Sequence, residues 1–143
     1  MTPFDKIIDL ALVTIDDYKI VKAYQQGEEV FKNWCDGFLL RAVPYFTKCR
    51  QSLDYDVEKR EFSSDLTTTE ISILADLFKI QWYERERNDA TKINALLQPS
   101  GGFKTHSAGQ NLKEKTTTID GLNEELSRRL TEYQLEDLAN INI

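Results

Sequence analysis

Apolar residues recur most regularly between Thr67 and Glu86 (TTTEISILADLFKIQWYERE). Ile71, Leu74, Ala75, Phe78 and Trp82 follow one another at steps of three and four, the spacing of one helical face. Ile73, Leu77 and Ile80 make a second face. A helix that is apolar on two faces needs neighbours on both, so this one is expected at the centre of the fold. Thr67 and Glu70 stand at capping-box spacing and predict its start. Asp76, Lys79 and Gln81 interrupt the apolar run, which excludes a membrane span.

The same pattern predicts three further segments. Thr2 as cap, Pro3 at the first helical position and Asp5 in the first turn predict a helix with the stripe Phe4, Ile7, Ile8, Ala11 and Leu12, ending near Val13 or Thr14. Ile15–Gln26 reads as a connector. After Gly27 a long helix is expected over about 28–51, with the stripe Val30 or Phe31, Trp34, Phe38, Ala42, Phe46 and Cys49. Pro44 predicts a kink inside it, and Gly37 a close approach to a neighbouring helix.

Ser52–Asp65 reads as extended, with Leu53, Tyr55 and Val57 alternating and room for a short hairpin; Phe62 and Leu66 are its expected anchors. After the central helix, Asn88–Gln98 continues it or restarts it. Pro99-Ser100-Gly101-Gly102 predicts a stop, and Phe103–Ser107 a loop. A last helix is expected over about 108–133, capped by Ser107 and Gln110, with the stripe Leu112, Ile119, Leu122, Leu126, Leu130 and Tyr133. The expected fold is mainly α: a small bundle of long helices around a central one, an extended loop between the second and third helices, and a C-terminal arm. Residues 1–133 form the domain and 134–143 the tail.

A chain of 143 residues can bury one core without staples. Its net charge of −6 argues against nucleic-acid binding as the main task, since phosphate contacts need a basic footprint. Cys35 and Cys49, if both sat on one helix, would stand roughly 21 Å apart, so free thiols and a reducing compartment are expected. Met1–Lys6 is polar and Ile7–Ile15 is short and carries Asp9, so no secretory leader is expected.

No constellation for catalysis emerges. His106 has no Cys or second His near it in sequence. Gly101-Gly102-Phe103-Lys104-Thr105 lacks phosphate-loop spacing, and Asp54-Tyr55-Asp56 does not continue as a calcium loop. The expectation is no enzyme activity, no cofactor and no metal. Interaction remains. Tyr45 and Tyr83 are interface candidates because a phenol tolerates a half-wet site. Arg41 and Lys48 make the end of the second helix basic, which suits either the helix dipole or an acidic partner. Leu126 and Leu130 belong to a one-faced helix lying along the core or along a neighbour. Leu135, Leu138 and Ile141 make the tail apolar, either as a free end or as an arm docked on another subunit.

Several stretches in order resemble a family of small structural proteins of tailed bacteriophages with Gram-positive hosts. These are DGFLLRAVPYFTKC (36–49), LDYD (53–56), REF (60–62) leading into DLT (65–67), ILADL (73–77) with Trp82, and FKT (103–105) before AGQNLKEK (108–115). Such proteins are similar in helical character to head-to-tail connectors. The resemblance implies an adaptor of the virion neck, assembled in the host cytoplasm. It implies a ring, commonly of twelve copies, bound to the portal protein on one side and to a head-closure or tail protein on the other, with DNA passing through unbound. Another tail or baseplate component, or a small protein-binding regulatory module, are the competing expectations.

Overall fold

The computed structural model describes residues 1–15, 25–97 and 103–141, with side chains described except at 89–97, 103–111 and 137–141. The connector at Ile15–Gln26 and the stop at Pro99–Gly102 therefore fall largely or wholly outside the described residues. The chain is mainly helical: β1 Thr2–Pro3, α1 Phe4–Leu12, α2 Glu28–Ala42 with a 3-10 turn at Val43–Tyr45, β2 Tyr55–Asp56, β3 Glu61–Phe62, α3 Thr68–Leu97 and α4 Phe103–Ile141.

Helix α3 is the centre, as its two apolar faces require. Ile71, Leu74, Ala75, Phe78 and Trp82 are all buried, and so are Ile73, Leu77 and Ile80. It contacts α1, α2 and α4. The capping box forms: the Thr67 N–H donates to Glu70 Oε1 at 2.9 Å, and the Glu70 N–H donates to Thr67 Oγ1 at 3.2 Å. The helix runs through Asn88 without a restart.

Helices α3 and α4 form an antiparallel pair. Their cross-contacts run in opposite senses: Glu70 meets Tyr133, Asp76 meets Arg129, and Glu86 meets Lys115. The stripe Ile119, Leu126 and Tyr133 is buried along this seam, with Leu122 and Leu130 half-buried beside it. At 39 residues α4 is roughly 58 Å long. Three threonines that would weaken it, Thr116 to Thr118, turn their hydroxyls onto carbonyls four residues back at 3.0–3.1 Å.

Two expectations about α4 are corrected. Phe103–Ser107 is helical and not a loop, so the helix starts at Phe103 and not after Ser107. The tail does not begin at Gln134, since the helix continues to Ile141. Helical spacing of the apolar residues at 135, 138 and 141 is the local reason.

The second helix is shorter than expected. It ends at Ala42, and Pro44 occupies a 3-10 turn where a kink was expected. A proline removes one helical hydrogen bond and crowds the preceding turn. Here the chain leaves the helix altogether, with Phe46 at φ −91°, ψ 64°. Phe46 still reaches the core, 5.6 Å from the Tyr133 ring. Gly27 starts the helix at φ 133°, a conformation L side chains rarely adopt. Cys35 is buried and Cys49 half-buried, both free. Burial, helped by the neighbouring Asp36 charge, pushes the Cys35 thiol up to about 12.

Thr2 is not the cap of α1. It sits in β1, which adds to the Tyr55–Phe62 hairpin in the order β1-β3-β2, all antiparallel, with Thr2 opposite Phe62. Its hydroxyl donates to the Ser64 carbonyl at 2.8 Å and accepts from the Leu66 N–H at 2.9 Å. The helix start is satisfied from elsewhere: the Phe4 N–H donates to the Arg60 carbonyl at 2.8 Å. Phe4, Tyr55 and Phe62 pack edge to face at 5.1–6.3 Å.

Two polar knots fix the ends of this packing. Arg60, at φ 54° in the hairpin turn, forks its guanidinium onto two helices. It donates to both oxygens of Asp36 at 2.7–2.8 Å and both oxygens of Asp5 at 2.7–3.1 Å. The hydrogen bonds and charge of Arg60 hold Asp5 below the usual carboxylate range. Glu70 is the second knot, at 1% exposure. Besides the Thr67 N–H, it accepts from Tyr133 Oη at 2.6 Å, Gln51 Nε2 at 2.6 Å and Cys49 Sγ at 3.5 Å. The Tyr133 hydroxyl in turn accepts from the Arg50 N–H at 2.8 Å, and the Arg50 guanidinium lies 4.0 Å over its ring. Burial alone would raise the Glu70 carboxyl, but the donors outweigh it and leave it below its ordinary value of 4.5.

Arg60→Ala leaves Asp36 buried without its partner and should cost about 3–5 kcal/mol in a urea melt; Arg60→Lys should recover only part, because an ammonium cannot fork. Glu70 and Asp5 both have lowered folded-state values. Their stabilisation is therefore complete above the ordinary carboxylate range and is lost as pH falls through those lowered values. Tyr133→Phe removes one donor to Glu70. It should cost about 1.5–3 kcal/mol at neutral pH and move the acid-unfolding midpoint, followed by circular dichroism, to higher pH.

Candidate interaction surface

An open-sided groove of about 640 Å³ lies between α2 and α3. The two helices run antiparallel here, with Phe38 5.8 Å from Phe78 and Trp34 4.7 Å from Trp82, the indoles edge to face. Asn33, Gly37 and Arg41 line one wall at four-residue steps on α2. Gln81, Glu84, Arg85 and Asn88 line the other at helical steps on α3. Trp34 and Phe38 form the floor. The Arg85 guanidinium lies 5.8 Å from the Trp34 ring and 5.7 Å from the Phe38 ring, within cation–π range.

Gly37 was expected to allow close helix packing. The structure corrects this: a Cβ built there meets nothing within 4 Å, because the residue opens onto the groove. The missing side chain widens the groove and brings no helix closer.

The candidate interface residues divide into three groups. Arg41 is exposed on the groove wall; Tyr45, 61% exposed, lies in the 3-10 turn that follows it, and exposed Lys48 comes just after. Arg41 has no partner among the described residues. The second group is turned inward. Leu126 is 7% exposed and Leu130 half-buried against the core: of the two places expected for this helix, along the core or along a neighbour, the seam with α3 takes the first. Tyr83 is also half-buried against the core. The third group is the end of α4. Leu135 is 57% exposed, and the side chains of Leu138 and Ile141 lie outside the described residues.

Asn33, Gln81, Arg85 and Asn88 were not singled out from the sequence as surface candidates. The signal was present as two polar stripes, 33-37-41 and 81-84-85-88, each edging an apolar face. Only the pairing of α2 with α3 sets them opposite each other.

Among the described residues no group of three His, Cys, Asp or Glu could hold a metal ion. No described helix is long and apolar enough to cross a membrane. The side chains of Lys104 and His106 fall outside the described residues. A smaller cleft of about 260 Å³ borders Asp5, Asp9, Glu28 and Arg60; its Arg60–Asp5 pair is already part of the structural knot. Comparison with protein-family models, with curated proteins and with solved structures finds no match for this chain.

Because Gly37 is mid-helical and faces open space, Gly37→Ala should raise stability by about 0.4–1 kcal/mol, read as a higher urea midpoint. A drop would mean that the groove is filled or closed in solution.

Proposed function

We propose that this chain is a structural protein of a tailed-phage particle, an adaptor of the neck that joins the portal vertex to the tail as a ring. The observation that carries the reading is the ordered series of segments from 36 to 115 that resembles such proteins. The architecture is compatible with it. The longest helix buries one stripe and leaves Glu114, Asp120, Glu124, Glu125 and Glu132 exposed, against Lys113 and Arg128. In a ring, such a face turned to the channel would repel the passing DNA and keep it from sticking. A groove and an exposed aromatic turn on the other side of α3 suit contacts with protein neighbours.

In this role the chain performs no reaction. Its affinity comes from many repeated small contacts, each weak alone and strong when the ring closes. Partners are further copies of the chain, the portal protein and a head-closure or tail protein.

Mixing the purified chain with portal protein and imaging by electron microscopy should give rings capped by an added layer. A particle map should place the chain at the neck with acidic residues of α4 on the channel wall. Absence of the chain from mature particles, or a basic channel wall where it sits, would overturn the reading. Lys104→Ala and His106→Ala should leave assembly unchanged.

A further inference from the structure

The three-stranded sheet has one guarded edge and one open edge. In the order β1-β3-β2, β1 is the outer strand on one side and carries Pro3, which has no N–H to offer. β2 is the outer strand on the other side, and every residue from 54 to 59 is exposed. The register decides which of its backbone groups are free. The Ser63 N–H donates to the Asp54 carbonyl at 2.9 Å, with Tyr55 opposite Phe62 and Asp56 opposite Glu61. Hydrogen-bonded and non-hydrogen-bonded positions alternate along an antiparallel pair, so Tyr55–Phe62 is of the second kind. The Tyr55 N–H and C=O therefore point away from β3, along the open edge.

Side chains divide by the same alternation. Tyr55 and, just past the strand, Val57 fall on one face, 44% and 57% exposed. The Tyr55 ring is held in place edge to face by Phe4 and Phe62. Asp54 and Asp56 fall on the other face, and the register sets Asp56 directly opposite Glu61. Like charges opposite one another in a sheet are destabilising. The Asp56 carboxylate accepts from the N–H groups of Glu58 and Lys59 in the turn, but no cation pairs with Asp54, Asp56, Glu58 or Glu61 among the described residues. The neighbouring Arg60 is committed to Asp5 and Asp36. No three acids here could hold a metal ion.

We infer that the open edge of β2 receives, as a fourth strand, an extended segment of another protein in which apolar residues alternate with Lys or Arg. The residue opposite Tyr55 exchanges both backbone hydrogen bonds with it, and its apolar side chain lies beside Tyr55 and Val57. The next residue faces Asp56 in a non-hydrogen-bonded pair, where side chains approach most closely. A cation there sits beside Asp56 and relieves its repulsion with Glu61. In such strand addition the main-chain bonds give affinity and the alternate side chains give specificity. A second copy of the chain is a poorer occupant. Antiparallel pairing of two β2 edges about Tyr55 sets Asp54 of each against Asp56 of the other, the device by which charged edges avoid one another. The inference goes beyond the adaptor reading and does not rest on it.

The test uses the full chain, isotope-labelled, and a short peptide of alternating Lys and Val. Adding the peptide should shift the amide resonances of residues 53–57 and slow hydrogen exchange at the Tyr55 N–H, with an affinity that falls as salt rises. The same peptide methylated on its Val N–H groups keeps its charge, loses the donors that strand addition needs, and should not bind. Asp54→Lys combined with Glu58→Lys changes two exposed side chains that have no partner among the described residues, and should weaken binding by about tenfold. No shift at 53–57, or equal binding of the methylated peptide, overturns strand addition. A Glu–Val peptide that binds as well as the Lys–Val one overturns the basic partner. Protection of the Tyr55 N–H that rises with protein concentration, without peptide, makes a second copy the occupant and also overturns the inference. Absence of the chain from phage particles would leave these results untouched, and their failure would leave the adaptor role as it stands.

Discussion

The Glu70 carboxylate is the interaction on which the packing depends. It caps α3, receives the loop after the 3-10 turn through Gln51 and Cys49, and receives α4 through Tyr133. A buried charge is costly unless every lone pair is occupied, and a polar network of this kind tolerates one arrangement only. Apolar seams are permissive about register, since one leucine contact resembles the next. The carboxylate is not permissive: shifting α4 by one turn along α3 would strand it. The knot thus sets where the longest helix sits, and with it how far α4 overruns the start of α3.

Arg60 plays the matching part for the N-terminal half. Its backbone takes a left-handed conformation that glycine would adopt at less cost. Glycine could not replace it, because the guanidinium is what ties α1 and α2 to the hairpin. The strain of the turn is offset by two forked ion pairs, one to a nearly buried Asp36. Between the two knots lies the apolar core, which supplies the bulk of the favourable burial. The short β1 strand, two residues long, is held by the same neighbourhood through the Thr2 hydroxyl and the Phe4 N–H.

What remains outside this framework shapes the functional reading. The seam between α3 and α4 uses Leu126 and Leu130. Arg41, Tyr45 and Leu135 are not used in this way. They lie on one side and one end of the bundle, leaving much of the long outer face of α4 charged. Under the proposed role, that side would meet protein neighbours and the charged face of α4 the channel.

Sequence alone determined the central helix, its capping box, its two apolar faces, the stripe of α4, and the anchors Phe62 and Leu66. Each is a local signal, set by 3.6-residue periodicity or by residues three apart. It also determined that the chain is mainly helical. Tertiary structure decided what depends on partners distant in the chain. Thr2 gives its hydroxyl to Ser64 and Leu66 and so does not cap α1, since a contact 62 residues away competes with a local one. Pro44 marks a break locally, but the contact of Phe46 with Tyr133 beyond it joins residues far apart in the chain. Gly37 opens a groove only because α3 lies alongside. The charged residues that became structural, Asp36, Arg60 and Glu70, look like any others in an acidic chain, and only folding gives them the partners that make their burial affordable.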